Sequence, residues 1–592
     1  MKIRYINGNR LYYAFLAGGN AVIRDQEYLN KINVFPIPDA DTGTNLASTM
    51  RSIAEDSTAH RSLKTTLLSI ANAALSGARG NSGIIFAQFV HGISEEIGHE
   101  TKLSTLSFGE SVKRAVQYAY RAILSPVEGT MLTVIREWAE DVYKKRDRTN
   151  DFVDLLSGSL KTAKKSLKET PKKLSVLARA GVVDAGAKGF VDFLEGILHF
   201  IRKGTLDSLP LIDIPRVHPE GHVHLSNSIP EYRYCSEALL TGRRMHLDQI
   251  QDDLRQHGDS IIVAGSKEKA RIHVHTNRPA DLFLRLKNYG SIVQIKVDDM
   301  RKQYEAACLR KSKIAIVTDS TCDLPQEVID ERQIHIIPIP LTFGNTTFLD
   351  RVTIMPEQFY SLLETSREHP KSAQPDLKSL ENLYSFLADH YDSLIVITLS
   401  AELSGFHGLC QKAAEKIENK KVSVINSKNI SATLGFLVLR ASDMALAGRR
   451  HEEIVEAIQG EILKTRLYVD IRTLKYMVRG GRVSALKGWA ARLINLKPIV
   501  SLDAEGRVIL SGKSFSRSRN MKKINAIIRK ISTGEGIENY AIVHAHNPER
   551  ARAYAEYLTD FLQQKPAYIQ EISPVIGVHN GIGAVAVALI VR

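Results

Sequence analysis

Hydrophobic residues recur at helical spacing through the first two hundred positions of this 592-residue chain, lose all period between 203 and 228, and return afterwards as short β runs. Each change of period restricts the fold, because a stretch patterned for one buried helical stripe cannot settle into a sheet, nor the reverse. In the first part LKTTLLSIANAALSGARG places Leu63, Leu67, Ile70, Ala71 and Ala74 on one stripe, and VVDAGAKGFVDFLEGILHFI supplies a second amphipathic segment. An all-α domain over 1–202 is expected, followed by a linker over 203–228, where prolines, glycines and histidines mix without period. The runs SIIVAG, ARIHVHT and SIVQIKV, with a helix-like PADLFLRLKNYG before the last, predict a small α+β domain over 229–308. From 312 to the end KIAIVTDS, QIHIIPIPLTF, SLIVITLS, KVSVINS and YAIVHAH alternate with helical stretches, the pattern of parallel α/β architecture.

A chain this long exceeds what one hydrophobic core organises, so several domains agree with its size. The net charge of +14 is spread over the whole length and comes with no interleaved basic and aromatic recognition motif, which argues against nucleic acid as a partner. Nucleotide phosphates or a peripheral membrane surface also suit such a charge. The densest basic run, KTAKKSLKETPKK (161–173), reads as the solvated face of a helix ending near Pro171, or else as a surface for an acidic partner. Cys235, Cys308, Cys322 and Cys410 lie far apart with no CxxC, the N-terminus has no apolar signal core, and no apolar run reaches the roughly 20 residues that span a bilayer. A cytoplasmic location is expected.

Chemistry concentrates in three places. In NVFPIPDADTGTN, Asp39 and Asp41 stand two positions apart in a Pro/Gly-rich loop. Turn chemistry explains such acids, and so does a hard cation such as Mg²⁺, which takes one or two carboxylates together with substrate phosphates. SGARGNSG (76–83) sets glycines around Asn81 and Ser82, where backbone N–H groups can approach phosphates; SPVEGTMLT and AGVVDAGAKG repeat the small-residue loop beside a helix. In the middle domain strand alternation puts His273 and His275 on one face, and with Cys235 they form a set that zinc accepts; histidines satisfied by hydrogen bonds are the alternative. In the last domain Asp319-Ser320, Ser400, Asn426-Ser427 and His544 close strand runs, so polar groups are expected to gather at strand ends, where open α/β sheets bind ligands.

The order NVFPIPDADTGTN, GARGNSGIIFAQ, PVEGTMLTVIRE and LARAGVVDAGAKGF resembles the nucleotide-binding domain of dihydroxyacetone kinases, the DhaL family, in the version found in bacterial fatty acid kinases. The resemblance implies an eight-helix barrel that binds ATP and Mg²⁺. Asp39 and Asp41 would be catalytic metal ligands with Asn33 as a third. Thr44, Asn45, Asn81, Ser82 and Gly83 would meet the phosphates, Thr130 and Met131 the adenine, while Asp184 and Gly186 would close the site. Ala40, Ala187 and Lys188 depart from the usual pattern. The Cys235, His273 and His275 positions resemble the central domain of the same kinases and imply Zn²⁺. IAIVTDSTCDLP, KSAQPD, ITLSAELSGFHG, MVRGGRVS, NLKPIV and SPVIGVHNGIGAVAVAL follow the order of the DegV family, a two-lobed α/β fold enclosing one fatty acid. Ser372, Ser400 and His579, with Arg479 and Arg482, would then hold the carboxylate; helix capping is the simpler role for either serine.

Together these features lead to the expectation of an ATP-dependent fatty acid kinase that phosphorylates the carboxylate of a fatty acid held in its own DegV-like domain. Acyl-phosphate-using enzymes would take the product, and a homodimer would let kinase and carrier halves of two copies meet. Two other functions fit the residues. One is a dihydroxyacetone-type (glycerone) kinase regulated by its lipid-binding domain, against which no separate domain with a carbonyl-trapping histidine is seen. The other is a non-catalytic lipid carrier or sensor, against which the intact Asp39 and Asp41 speak.

Overall fold

The computed structural model describes residues 2–34, 41–98, 100–204, 229–366, 368–473, 475–481, 497–514 and 516–592. Two compact units emerge, Met1–Arg278 with Leu286–Met300, and Pro279–Arg285 with Arg301–Arg592.

The first unit begins with eight long helices, α1 (Gly8–Arg24), α3 (Thr42–Asp56), α4 (Leu63–Gly77), α5 (Gly80–Glu96), α6 (Thr105–Arg121), α7 (Met131–Lys145), α8 (Phe152–Lys173) and α10 (Ala185–Lys203), and two short ones, α2 (Gln26–Lys31) and α9 (Ser175–Ala180). Each long helix packs on the next, and α10 returns to α1, so the eight close a ring. Leu63, Leu67, Ile70, Ala71 and Ala74 are all buried in it, as their spacing predicts. Phe89, Trp138 and Phe190 meet edge to face at its centre, with Phe86 and Phe193 beside them. Burial of one such ring contributes ~2–3 kcal/mol and each edge contact ~1 kcal/mol more. The helix that carries the basic run ends near Pro171 as expected: α8 closes at Lys173 with the proline inside its last turn. Pro171 has no N–H for the Leu167 carbonyl, and the Thr170 hydroxyl donates to that carbonyl instead at 2.8 Å.

The linker expected over 203–228 lies, from 205 on, outside the described residues. After it come β1 (Tyr234–Thr241), β2 (Asp259–Gly265), β3 (Lys269–Thr276) and β4 (Ser291–Asp299), in the order β2-β3-β1-β4. Every pairing is antiparallel. The register sets Cys235 opposite His275 and Asp298, and Glu237 opposite His273 and Lys296, so one face of the sheet carries an unusual density of polar groups. That face turns toward the helical ring. Residues 122–124 extend the sheet past β2, with Val263 N–H on the Ala122 carbonyl (2.9 Å) and Leu124 N–H on the Ile261 carbonyl (3.1 Å), and Ile262 and Ala264 belong to the same core as the helices.

Among its described residues the second unit holds two larger sheets and a small one. β11 (Lys421–Asn426), β10 (Ser393–Thr398), β5 (Ile314–Asp319) and β6 (His335–Ile337) are parallel, as their buried runs predict. The six-stranded sheet is not. β14 (Val508–Ser514), β13 (Lys497–Leu502), β12 (Thr465–Asp470), β17 (Val585–Val591) and β15 (Ile537–His544) run antiparallel, and only β16 (Ile569–Glu571) lies parallel to β15. β13, β15 and β17 are buried nearly throughout and lack the polar/apolar alternation that marks most antiparallel sheets, whereas β12 and β14 alternate between more and less buried positions. β8 (Thr346–Leu349), β7 (Pro340–Phe343) and β9 (Lys371–Ser372) form the third.

Candidate functional site

Four helix N-termini converge in the first unit. Asp41 precedes α3 and takes no capping bond with its side chain, which leaves the carboxylate available to a cation. Asn45, one turn into α3, lies against Gly80 at the start of α5, close enough that a Cβ on Gly80 would stand 2.5 Å from Asn45 Nδ2. Gly80 also has φ +55, so only glycine fits this approach without strain. Ser82, in the first turn of α5, meets Gly186, in the first turn of α10; a Cβ there would be 2.5 Å from Ser82 Oγ. The Asp184 carboxylate caps α10 by accepting from Ala187 N–H at 2.8 Å and also accepts from the Met131 N–H at the start of α7. Burial pushes its pKa up to about 6, against the opposing effect of those two bonds.

The remaining residues of this set fall nearby in more settled roles. The Thr44 hydroxyl accepts from Asn30 Nδ2 at 3.0 Å, and the Thr44 N–H donates to Asn30 Oδ1 at 3.0 Å. Gly83 packs on Thr49, and the Thr130 hydroxyl donates to the Val127 carbonyl at 2.7 Å. Asn81 Oδ1 is buried with no hydrogen-bond partner among the described residues, and Asn33 is buried beside α2. Asp39 lies outside the described residues. Helix N-termini present unpaired N–H groups and a positive dipole end, so this convergence is a physical fit for phosphate.

The polar face of the sheet completes the site. His273 and His275 turn their Nε2 atoms toward each other at 3.2 Å, and with Cys235 they place three ligand atoms within 4.8 Å of one another. Two Zn–N bonds at a tetrahedral angle set their nitrogens about 3.3 Å apart, so the imidazole pair fits that ion. His273 Nδ1 lies 3.5 Å from Glu237 Oε1 and 3.8 Å from Cys235 Sγ, while His275 Nδ1 lies 3.3 Å from Asp259 Oδ1. Carboxylates on the outer nitrogens are the usual support of metal-binding histidines. Burial and the Glu237 charge push the Cys235 thiol well above its ordinary range, so a thiolate there needs a cation beside it.

Glu237 touches more than the histidine. Its Oε1 accepts the Gly80 N–H at 2.6 Å, and its Oε2 faces Arg271 at 3.7 Å and Arg79 at 3.8 Å. Arg271 is itself buried, donating to the Ala78 carbonyl and to Gln294 Oε1. Burial would raise the Glu237 pKa, but the His273 bond and the Lys296 and Arg271 charges outweigh it and hold the carboxyl well below its usual range. Lys296 Nζ sits 2.7 Å from Asp298 and 3.9 Å from Asp41. The expected phosphate turn, the acid Asp41 and the Cys-His-His cluster therefore belong to one continuous site.

Glu237, Arg271, Asp259 and Lys296 were not legible as site residues in the sequence. One signal was present: Glu237 is two positions from Cys235, and Arg271 two from His273, so strand alternation puts each on its neighbour's face.

In the second unit the helix Pro574–Asn580 carries His579 and packs on both the short helix Lys475–Arg479 and β9. Ser372, Arg479 and His579 thus gather around one helix, and Gly480 lies so close to the His579 ring that no side chain fits there. The segment after Ser372 touches the turn after Ser400 through Gln374 and Gly405. Ser400 is fully buried, and its hydroxyl donates to the Gly506 carbonyl at 2.9 Å while accepting from Glu402 N–H at 3.2 Å, a turn-closing role. Asp319 and Asn426, at the ends of parallel strands, likewise hold loops: Asp319 Oδ2 accepts from Leu399 N–H and Asn426 Oδ1 from Ala401 N–H. His544 ends a strand of the other sheet and does not join them. Arg482 lies outside the described residues.

Three family models match successive parts of the chain: the DAK2 domain over 36–199, the A-subunit-like fatty acid kinase middle domain over 231–307, and the uncharacterised DegV protein family over 313–592. Protein YloV of Bacillus subtilis is 31% identical over 330 residues, 53% of this chain and 59% of its own. An uncharacterized protein of Staphylococcus haemolyticus is 32% identical over 322 residues, 53% of this chain and 58% of its own. The chain thus spans less than two thirds of the length of these curated relatives. The crystal structure of DegV, a fatty acid binding protein from Bacillus subtilis, aligns with 48% of this chain and 100% of its own at 27% identity and TM-score 0.45. A fatty acid binding DegV family protein from Streptococcus agalactiae aligns with 48% and 99% at 25% identity and TM-score 0.45.

Proposed function

From a chain that joins a DAK2 domain, a fatty acid kinase-type middle domain and a DegV domain in that order, we infer an ATP-dependent fatty acid kinase that makes acyl phosphate from a fatty acid carried in its own DegV domain. The observation that carries the nucleotide half is the convergence of the N-termini of α3, α5, α7 and α10 beside Asp41. A carboxylate oxygen of the fatty acid attacks the γ-phosphorus, the bond from that phosphorus to the β,γ-bridging oxygen breaks, and ADP leaves with the electron pair. A carboxylic acid is ionised at neutral pH, so no protein base is needed. The chain's work is positioning: the first turns of α3, α5 and α10 hold phosphate oxygens by N–H groups, and Asp184 fixes α7 against α10. Asp39, Asp41 and Asn33 would hold Mg²⁺, which when bound neutralises phosphate charge. Cys235, His273 and His275 would hold Zn²⁺.

Ser372, His579, Arg479 and Arg482 orient the acyl carboxylate in this reading, and Ser400 joins them by exchanging its Gly506 partner. Linking the carrier to the kinase raises its effective concentration, and transfer between two copies would give a dimer. The test is incubation of the full chain with oleate, Mg²⁺ and labelled ATP, trapping with hydroxylamine. A hydroxamate is expected; no hydroxamate from any fatty acid, with phosphorylation of dihydroxyacetone instead, refutes the carboxyl acceptor. Extraction and mass spectrometry of the purified chain should also recover an acyl ligand.

A further inference from the structure

Glu237 has one carboxylate and two clients. Oε1 accepts the N–H of Gly80, where the phosphate turn enters α5, at 2.6 Å, and the same atom faces His273 Nδ1 at 3.5 Å. The histidine's other nitrogen meets His275 Nε2 at 3.2 Å. Which nitrogens carry hydrogen decides whether that arrangement is favourable. Two neutral imidazoles facing through Nε2 require one Nε2–H, and that ring then presents a bare Nδ1 to a carboxylate: Glu237 for His273, Asp259 for His275. A cation between the Nε2 atoms moves the hydrogen to Nδ1 on both rings, and both carboxylates then accept. Glu237 is held in place on its other side by Arg271 and Arg79, at 3.7 and 3.8 Å, and Arg271 grips the Ala78 carbonyl of the same turn. Tightening the histidine against Glu237 therefore acts on a carboxylate already bonded to the turn that would receive phosphate.

We propose that occupation of the Cys235–His273–His275 site by a zinc-like divalent cation and binding of Mg·nucleotide at the Ala78–Gly83 turn are linked through Glu237, a positioning residue shared by both. The proposal rests on reading that turn as the phosphate site. It makes the middle-domain metal a regulator of nucleotide affinity.

Linkage is reciprocal, so two measurements must agree. The full-length chain, stripped with a chelator and re-titrated with zinc, should bind Mg·ADP about 10-fold more tightly when zinc is saturating, by calorimetry. Saturating Mg·ADP should tighten zinc by the same factor in competition with a chromophoric chelator. Glu237→Gln should bind zinc about 10–100-fold more weakly, and even at saturating zinc should hold Mg·ADP no better than the stripped wild type. Asp259 supports the other histidine without touching Gly80, so Asp259→Asn is the control. It should weaken zinc by a similar factor, yet recover wild-type Mg·ADP affinity when zinc is saturating. Where Glu237→Gln fails to fold, the wild-type titrations and Asp259→Asn decide alone. Nucleotide affinity independent of zinc in the wild type overturns the coupling and leaves the kinase reading standing. A chain that binds no Mg·ADP at any zinc level overturns both.

Discussion

Replacing Asp184 by Asn tests whether a buried charge is kept for the site at the expense of stability. Asp184 accepts from Ala187 N–H at 2.8 Å and from Met131 N–H, and burial lifts its pKa from 3.8 to about 6. A raised acid binds its proton more tightly in the native state, so its contribution is most favourable below pH 3.8 and is lost as pH rises through about 6. At ~1.4 kcal/mol for each tenfold change in proton affinity, that loss is ~3 kcal/mol by pH 7. The amide carries no charge to desolvate, but its single oxygen serves two N–H donors, a penalty of ~1 kcal/mol. Asp184→Asn should therefore raise the midpoint of the first unit by about 4–8 °C at pH 7.5, from a net ~2 kcal/mol at 2–4 °C each. The advantage should shrink to nothing or reverse at pH 4. Scanning calorimetry of wild type and variant across this range gives the answer, and a difference that does not change with pH refutes the buried-charge argument. The same variant should bind Mg·ADP more weakly, because one amide oxygen holds α7 and α10 together less firmly than the carboxylate.

Arg271→Met leaves buried Glu237 with only the partly exposed Arg79 of its two guanidiniums and should cost ~2–4 kcal/mol in denaturant unfolding of the first unit, with part recovered by adding Glu237→Gln; an effect below ~1 kcal/mol would mean that the pair is solvated. Gly80→Ala forces a side chain onto φ +55 and against Asn45, so ~1–3 kcal/mol of stability and most Mg·ADP affinity should go, and unchanged binding would remove this turn from the site. In the second unit burial lifts the Asp350 carboxyl to about 7, despite bonds from Ser320 Oγ and Val575 N–H. The sign is that of Asp184: stability is present below about pH 4 and lost through pH 7. Asp350→Asn should flatten the fall of the second unit's midpoint between pH 5 and 8, and an equally steep fall in the variant would assign it elsewhere.

The helical ring was legible because its stripe residues, Leu63 to Ala74, repeat at a period that only a helix satisfies. The parallel sheet around Ile314–Asp319 was legible from unbroken apolar runs. Those same runs misled at Ile537–His544, since burial on both faces erases the alternation that distinguishes antiparallel pairing. β1 escaped notice: Tyr234–Thr241 opens on Tyr-Cys-Ser-Glu, and the polar residues in its first half hide the apolar run of a strand. His273, His275 and Cys235 announced themselves by residue type. Glu237 and Asp259 did not, because a carboxylate becomes an outer partner of histidine only when register brings it to the outer nitrogen. Ser400 was conspicuous in the sequence as a hydroxyl, but its bond to the Gly506 carbonyl was not, because that partner lies more than a hundred residues away.

The backbone bonds between residues 122–124 and β2, with Ile262 and Ala264 buried among the helices, bear on how this protein can be inherited and cut. A split within 203–228, where sequence pattern places a domain border, would strip the sheet of an edge partner and expose apolar side chains on both pieces. Gene rearrangement and laboratory truncation alike should then tolerate a break before the first strand poorly. The helices and the sheet would travel through evolution as a single cassette.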